Sequence, residues 1–260
     1  MLYSRFSHTL LCLAAATFAF MSVARATPLF EEMSAQFRKA YGIELVADKE
    51  KFPVEGTGGT ITGTNTGTTN GDMVLYFLRK EFAKYPADLV RRSGVKRIAL
   101  CRDLKSGPTR IAGVAVEANA TIYVDSTASV GNESHRRRTL HHEFFHFLDY
   151  TRDGDVMHNE PWETVNRGTV SYGSAPPPMK PGQYDWASHP APGFISDYSL
   201  KALPEDRAEL FAGMMTNNLK LRLLVQSDQK LAAKVALIKT ELIQFCPEVN
   251  ETFWAGIAKF

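Results

Sequence analysis

His142-Glu143-Phe144-Phe145-His146 restricts this chain more than any other stretch of it. On a helix, histidines at i and i+4 face the same side about one turn apart, and the surrounding residues read as a helix. Over 134–150, Leu140, Phe144, Phe147 and Leu148 recur at helical intervals, with Ser134 as the candidate N-cap. Both imidazoles then reach a single metal ion, and Glu143 lies beside them, where a carboxylate can take a proton from a metal-activated water. The expected ion is zinc, one per chain.

Catalytic zinc takes three protein ligands and leaves its remaining position open, so a third ligand is expected downstream. His158, His189, Glu160, Glu163, Glu205 and Glu209 are the candidates. The extended frame that carries a third histidine fails, because Asp149 and Arg152 stand where it needs Gly and His. Glu205 and Glu209 lie four apart on a predicted helix whose Leu210, Phe211 and Met214 form an apolar face, so both carboxylates face one site.

The run His142 to Asp149, together with Tyr198 to Ala212, resembles the gluzincin type of zincin metallopeptidase. The likeness is to the catalytic domain of anthrax lethal factor and the Pro-Pro endopeptidases. It extends to bacterial proteins described only as zinc-binding metallopeptidases. That group has a Tyr, a ligand Glu seven residues on, then Ala-Glu-x-Phe; Tyr198, Glu205 and Ala208-Glu209-Leu210-Phe211 match it. The resemblance spans about 120 residues and implies an α+β zincin-like fold, a small mixed sheet packed on the active-site helix with a C-terminal helical subdomain. It implies His142, His146 and Glu205 as metal ligands and Glu143 as catalytic base. It also makes Tyr198 a donor to the oxyanion and Glu209 a carboxylate supporting a ligand histidine. His141 is expected to point away from the metal, and His135, His158 and His189 to be ordinary surface or core histidines.

The chain has 260 residues, 44% hydrophobic and 22% charged, which suits a soluble domain. Arg5 and His8 precede an apolar run from Leu10 to Val23, followed by Ala24-Arg25-Ala26, so residues 1–26 read as a secretory signal peptide. The run is shorter than the ~20 residues needed to span a bilayer. Cys12 lacks the small preceding residue of a lipidated cysteine. Removing Arg5 and Arg25 brings the formal charge of +2 to neutrality, so no nucleic-acid partner is expected. Export leaves a secreted or periplasmic domain over 27–260 with no stable membrane insertion, and Cys101 and Cys246 as either a disulfide or two separate buried thiols.

Within that domain, a helix over 28–41 and a strand over 43–47 are expected. Residues 55–71, with six Gly and seven Thr, read as a surface loop. Strands are expected over 95–101, 111–117 and 121–125, the last two as a hairpin. The Pro- and Gly-rich stretch 153–195 reads as a long surface excursion held down by Trp162, Tyr172, Tyr184 and Trp186. About three helices are expected over 204–260, with breaks near Ser227 and Pro247. Arg136, Arg137 and Arg138 read as a solvated basic face.

These features predict a secreted zinc endopeptidase acting on a peptide or protein. The rival class is a zinc-binding protein without turnover, whose site would more usually be closed by a fourth protein ligand.

Overall fold

The computed structural model describes residues 28–56, 58–68, 72–127, 133–174, 186–216 and 219–258. Residues 1–26, which the sequence reads as a signal peptide and which include Cys12, and Tyr184 lie outside the described residues. Helix α1 (Pro28–Tyr41) leads into β1 (Glu44–Val46), β2 (Val54–Gly56), β3 (Gly59–Asn65), α2 (Asp72–Phe82) and α3 (Ala87–Arg92). Strands β4 (Arg97–Ser106), β5 (Thr109–Arg110), β6 (Gly113–Val116) and β7 (Thr121–Asp125) complete a mixed seven-stranded sheet. Among the described residues six helices follow: α4 (Glu133–Asp153), α5 (Glu160–Asn166), α6 (Leu203–Met215), α7 (Leu219–Ser227), α8 (Gln229–Phe245) and α9 (Glu251–Ile257). The fold class is α+β.

The sheet order is β2-β3-β4-β7-β6, with β1 and β5 also paired to β4. Strands β4 and β7 run parallel, Ile98 opposite Ile122, and β6 returns antiparallel as the end strand, Ala115 opposite Ile122. Alternation divides the side chains between two cores. Ile98, Leu100, Ile122 and Val124 join the large core formed with the helices, while Ala99, Cys101, Tyr123 and Val116 pack with Ile61 and Leu104 on the other face. Helix α4 lies between the sheet and α6, so Phe144 and Leu148 on one face and Phe145 on another are all buried.

Several expectations change. The Thr- and Gly-rich stretch 55–71 supplies the strand pair β2 and β3 rather than a loop. Threonine is β-branched and suits a pleated edge, and Ile61 anchors the ribbon in the smaller core. Helix α4 already includes Glu133, so Ser134 stands inside its first turn and is not the cap. The stretch 153–195 contains α5, capped by Asn159. Its Trp162 is fully buried, because the indole N–H finds Asp206 Oδ2 at 2.9 Å. Among the described residues the C-terminal region holds four helices, α6 ending at Met215 with Thr216 as its C-cap. Among the described residues, no helix is long and apolar enough to cross a membrane.

Cys101 and Cys246 are separate buried thiols, one in each core. Burial, with the nearby Asp125 carboxylate, pushes the Cys101 thiol up to about 12. Thiol titration of the chain without residues 1–26, in denaturant and without reductant, should give two reactive groups per molecule. A value near zero would show a disulfide.

Candidate metal centre

Two helices build the site. The i, i+4 spacing on α4 turns His142 and His146 to one side, and the same spacing on α6 presents Glu205 and Glu209 opposite them. Glu205 stands in the first turn of α6, where the helix dipole favours a carboxylate. Its neighbours Asp206 and Arg207 turn into the core instead, Asp206 to Lys234 at 2.6 Å and Arg207 to Asp149 at 2.8 Å.

Three donor atoms converge. His142 Nε2 lies 3.0 Å from Glu205 Oε2 and 3.1 Å from His146 Nε2, and His146 Nε2 lies 3.5 Å from Glu205 Oε2. Ligand atoms at tetrahedral zinc, about 2.0–2.2 Å from the ion, are roughly 3.4 Å apart, so this triangle fits zinc. The imidazole of His142 is oriented from behind: Nδ1 donates to Glu209 Oε1 at 3.0 Å, which aims Nε2 into the triangle. Glu209 is held in turn by Arg138 Nη1 at 3.1 Å and Ser196 Oγ at 2.7 Å, both on Oε2.

The titration behaviour follows from this crowding. Burial opposes ionisation of Glu209, but Arg138, His142 and Ser196 hold it down at about 2. Burial likewise opposes a charge on His142, yet its hydrogen bonds to Glu205 and Glu209 raise it to about 10. Glu205 is held well below the usual carboxylate range, because both histidines outweigh its burial. The extra proton on His142 answers the carboxylates that surround it.

Glu143 Oε2 accepts the backbone N–H of Ala115, on the end strand β6, at 2.8 Å. Tyr198 lies in a 3-10 turn, Asp197–Leu200, and its hydroxyl donates to Glu205 Oε1 at 3.3 Å. Burial and the surrounding carboxylates Glu205, Glu143 and Glu209 raise its phenol, which therefore stays a donor. Lys201 Nζ lies 3.0 Å from both the Tyr198 hydroxyl and Glu205 Oε1. A cleft of about 250 Å³, lined by Gly113, Thr139, Glu143 and Tyr198 among others, opens beside the triangle.

The remaining candidates lie elsewhere. His158 pairs with Asp155 in an exposed loop, and His189 pairs with Asp228. Neither they nor Glu160 and Glu163 join the triangle. His141 is fully buried and bonds Glu81 at 2.8 Å and Tyr85 at 2.5 Å. His135, half-buried, bonds Arg138 at 2.9 Å. The run Arg136 to Arg138 is not a solvated face: Arg137 pairs with buried Glu81 at 2.9 Å, and Arg138 is itself buried on Glu209. Among the described residues a second group, Asp88, Cys246 and Glu248, comes within ligand distance. Asp88 faces Arg92 at 3.7 Å and burial pushes the Cys246 thiol up, away from the thiolate a metal requires. Ser196, Arg138 and Lys201 belong to the site without having been expected there. Only Lys201, four residues before Glu205, carried a local signal, the i, i+4 ion pair.

No protein-family model matches the chain, and no curated protein matches it in sequence. In structure it is similar to a Bacteroides caccae protein described as a "putative zinc-binding metallo-peptidase". The TM-score is 0.59 at 15% identity, over 89% of this chain and 90% of that one. The likeness is one of fold.

Zinc titration should load one ion per chain. Glu205→Ala should abolish binding, and Glu209→Ala should weaken it by roughly 10–100-fold, the usual effect of losing a carboxylate behind a ligand histidine. Because His142 is raised to about 10, it holds an extra proton at pH 7, and zinc must displace it. Calorimetry at pH 7 in buffers of different ionisation enthalpy should show about one proton released per ion, with affinity falling as the pH is lowered.

Proposed function

We propose that this chain is an exported zinc-dependent endopeptidase of the gluzincin type, with His142, His146 and Glu205 as ligands and Glu143 as general base. The observation that carries the reading is the three-atom triangle with Glu143 and an open cleft at its side. A cleft beside three ligands supports a working site rather than a closed structural one. An extended peptide suits the cleft, since β6 ends the sheet and its outer backbone groups lie next to Glu143.

When bound, zinc would lower the pKa of a water toward ~7 and polarise the scissile carbonyl. The rest is done by this chain's side chains. With Oε2 tethered to Ala115, Glu143 keeps Oε1 to accept the proton of the attacking water and hand it to the leaving amine. Tyr198, protonated and one side chain away from the ligands, donates to the developing oxyanion. Lys201 offsets the charge of Glu205 and draws its Oε1 away from the histidines, leaving Oε2 in the triangle.

The test is cleavage of a mixed peptide library by the zinc-loaded chain, read by mass spectrometry. Glu143→Gln should keep zinc and lose turnover; full turnover in that variant would overturn the mechanism. Tyr198→Phe should leave zinc affinity near wild type while kcat falls by about 10²-fold, the scale of losing one oxyanion donor. An unchanged kcat would return Tyr198 to a packing role.

A further inference from the structure

We propose that Gly113 is a positioning residue for Glu143: the missing side chain lets β6 close onto α4 until the Ala115 N–H reaches the Glu143 carboxylate. The inference rests on reading Glu143 as the base. Gly113 does not have a positive φ, so backbone conformation does not require glycine here. Space does. A Cβ at this position would meet Thr139 Cγ2 at 3.0 Å, the Tyr123 carbonyl oxygen at 3.2 Å and Glu143 Cγ at 3.5 Å.

Two of those atoms belong to α4 and one to β7, so an added methyl would be gripped between the helix and the neighbouring strand. The sequence of β6, Gly113-Val114-Ala115-Val116, alternates small and large. Residues two apart in a strand share a face, so both small residues face α4 while Val114 and Val116 pack in the opposite core. Strand β6 is tied to β7 by its ladder, from Gly113 opposite Val124 to Val116 opposite Thr121. Relief must therefore come from separating β6 and α4 or from swinging the Glu143 stem. Either movement lengthens the 2.8 Å bond from Ala115 and releases the carboxylate from its aim.

The experiment uses the full zinc-loaded chain and a peptide substrate found by the library. Gly113→Ala should lower kcat by about 10-fold, given that a 1 Å misplacement costs roughly 10²-fold, with KM, zinc affinity and Tm held near wild type. Thr139→Ser removes Cγ2, the nearest obstacle. In that background Gly113→Ala should cost no more than about 3-fold relative to Thr139→Ser alone, the non-additivity expected of residues in contact. A second readout needs no turnover. The Ala115 amide proton should move upfield in both Gly113→Ala and Glu143→Gln, and return toward its parent position in Gly113→Ala with Thr139→Ser. An unmoved Ala115 resonance in Gly113→Ala overturns the proposal, as does an equal kcat loss in both backgrounds or a loss that follows zinc affinity and Tm. Failure of the peptidase reading looks different, as no Glu143-dependent cleavage by the parent, and the amide shift then decides the role of Gly113 alone.

Discussion

The bond from His142 to Glu209 sets the terms for the packing of α4 against α6. A helix that offers imidazoles to an ion cannot bury that face among aliphatic groups, yet His142 and Glu209 are both buried. The solution is a polar seam within an otherwise apolar contact. Arg138, His142, Ser196 and Glu209 satisfy one another, while Phe145 and Phe211 pack at a tilt beside them with ring centroids 4.7 Å apart. Removing one member of such a seam strands a buried charge, typically at a cost of ~3–5 kcal/mol. The register between the helices is thereby fixed by the groups that orient the site.

Other sides of the same helices are locked in a similar way. His141, one residue before the triangle, faces α2 and bonds Glu81 and Tyr85, while Asp149, farther along α4, takes Arg207 of α6. Asp206 ties α6 to Lys234 of α8 and to the indole of Trp162. Buried ion pairs add little net stability over apolar packing, but they permit few rotations of a helix about its axis. Two or three such locks hold α4 and α6 so that the histidines and Glu205 converge without a loop to steer them.

What the sequence made legible follows the range of each interaction. Spacing along one helix exposes His142, Glu143 and His146, and apolar period exposes α4 and the hairpin of β6 and β7. It also brings Glu205 and Glu209 to one face, but only the resemblance separated their roles. Composition misled where partners are distant. The Thr-rich stretch lacks apolar residues because it forms a sheet edge, with Ile61 as its buried anchor. Three consecutive arginines read as solvent-facing, although Glu81 lies 56 residues before Arg137 and Glu209 lies 71 residues after Arg138. Trp162 reads as a surface anchor for want of any sign that Asp206 would receive its indole N–H.

The two acids on α6 show how partners assign roles that helical geometry leaves equal. Both face α4, one turn apart. Glu209 has no oxygen left for an ion: Oε1 takes His142, and Oε2 takes Arg138 and Ser196. Its charge is spent on orienting an imidazole. Glu205 is divided differently, with Oε1 toward Tyr198 and Lys201 and Oε2 toward the paired histidine nitrogens. The division depends on where the cationic side chains lie. Arg138, buried under the site, claims the deeper acid, and Lys201, at the rim, takes only the outer oxygen of the shallower one. One oxygen therefore remains at the height where the two imidazoles meet, and a single carboxylate completes the triangle.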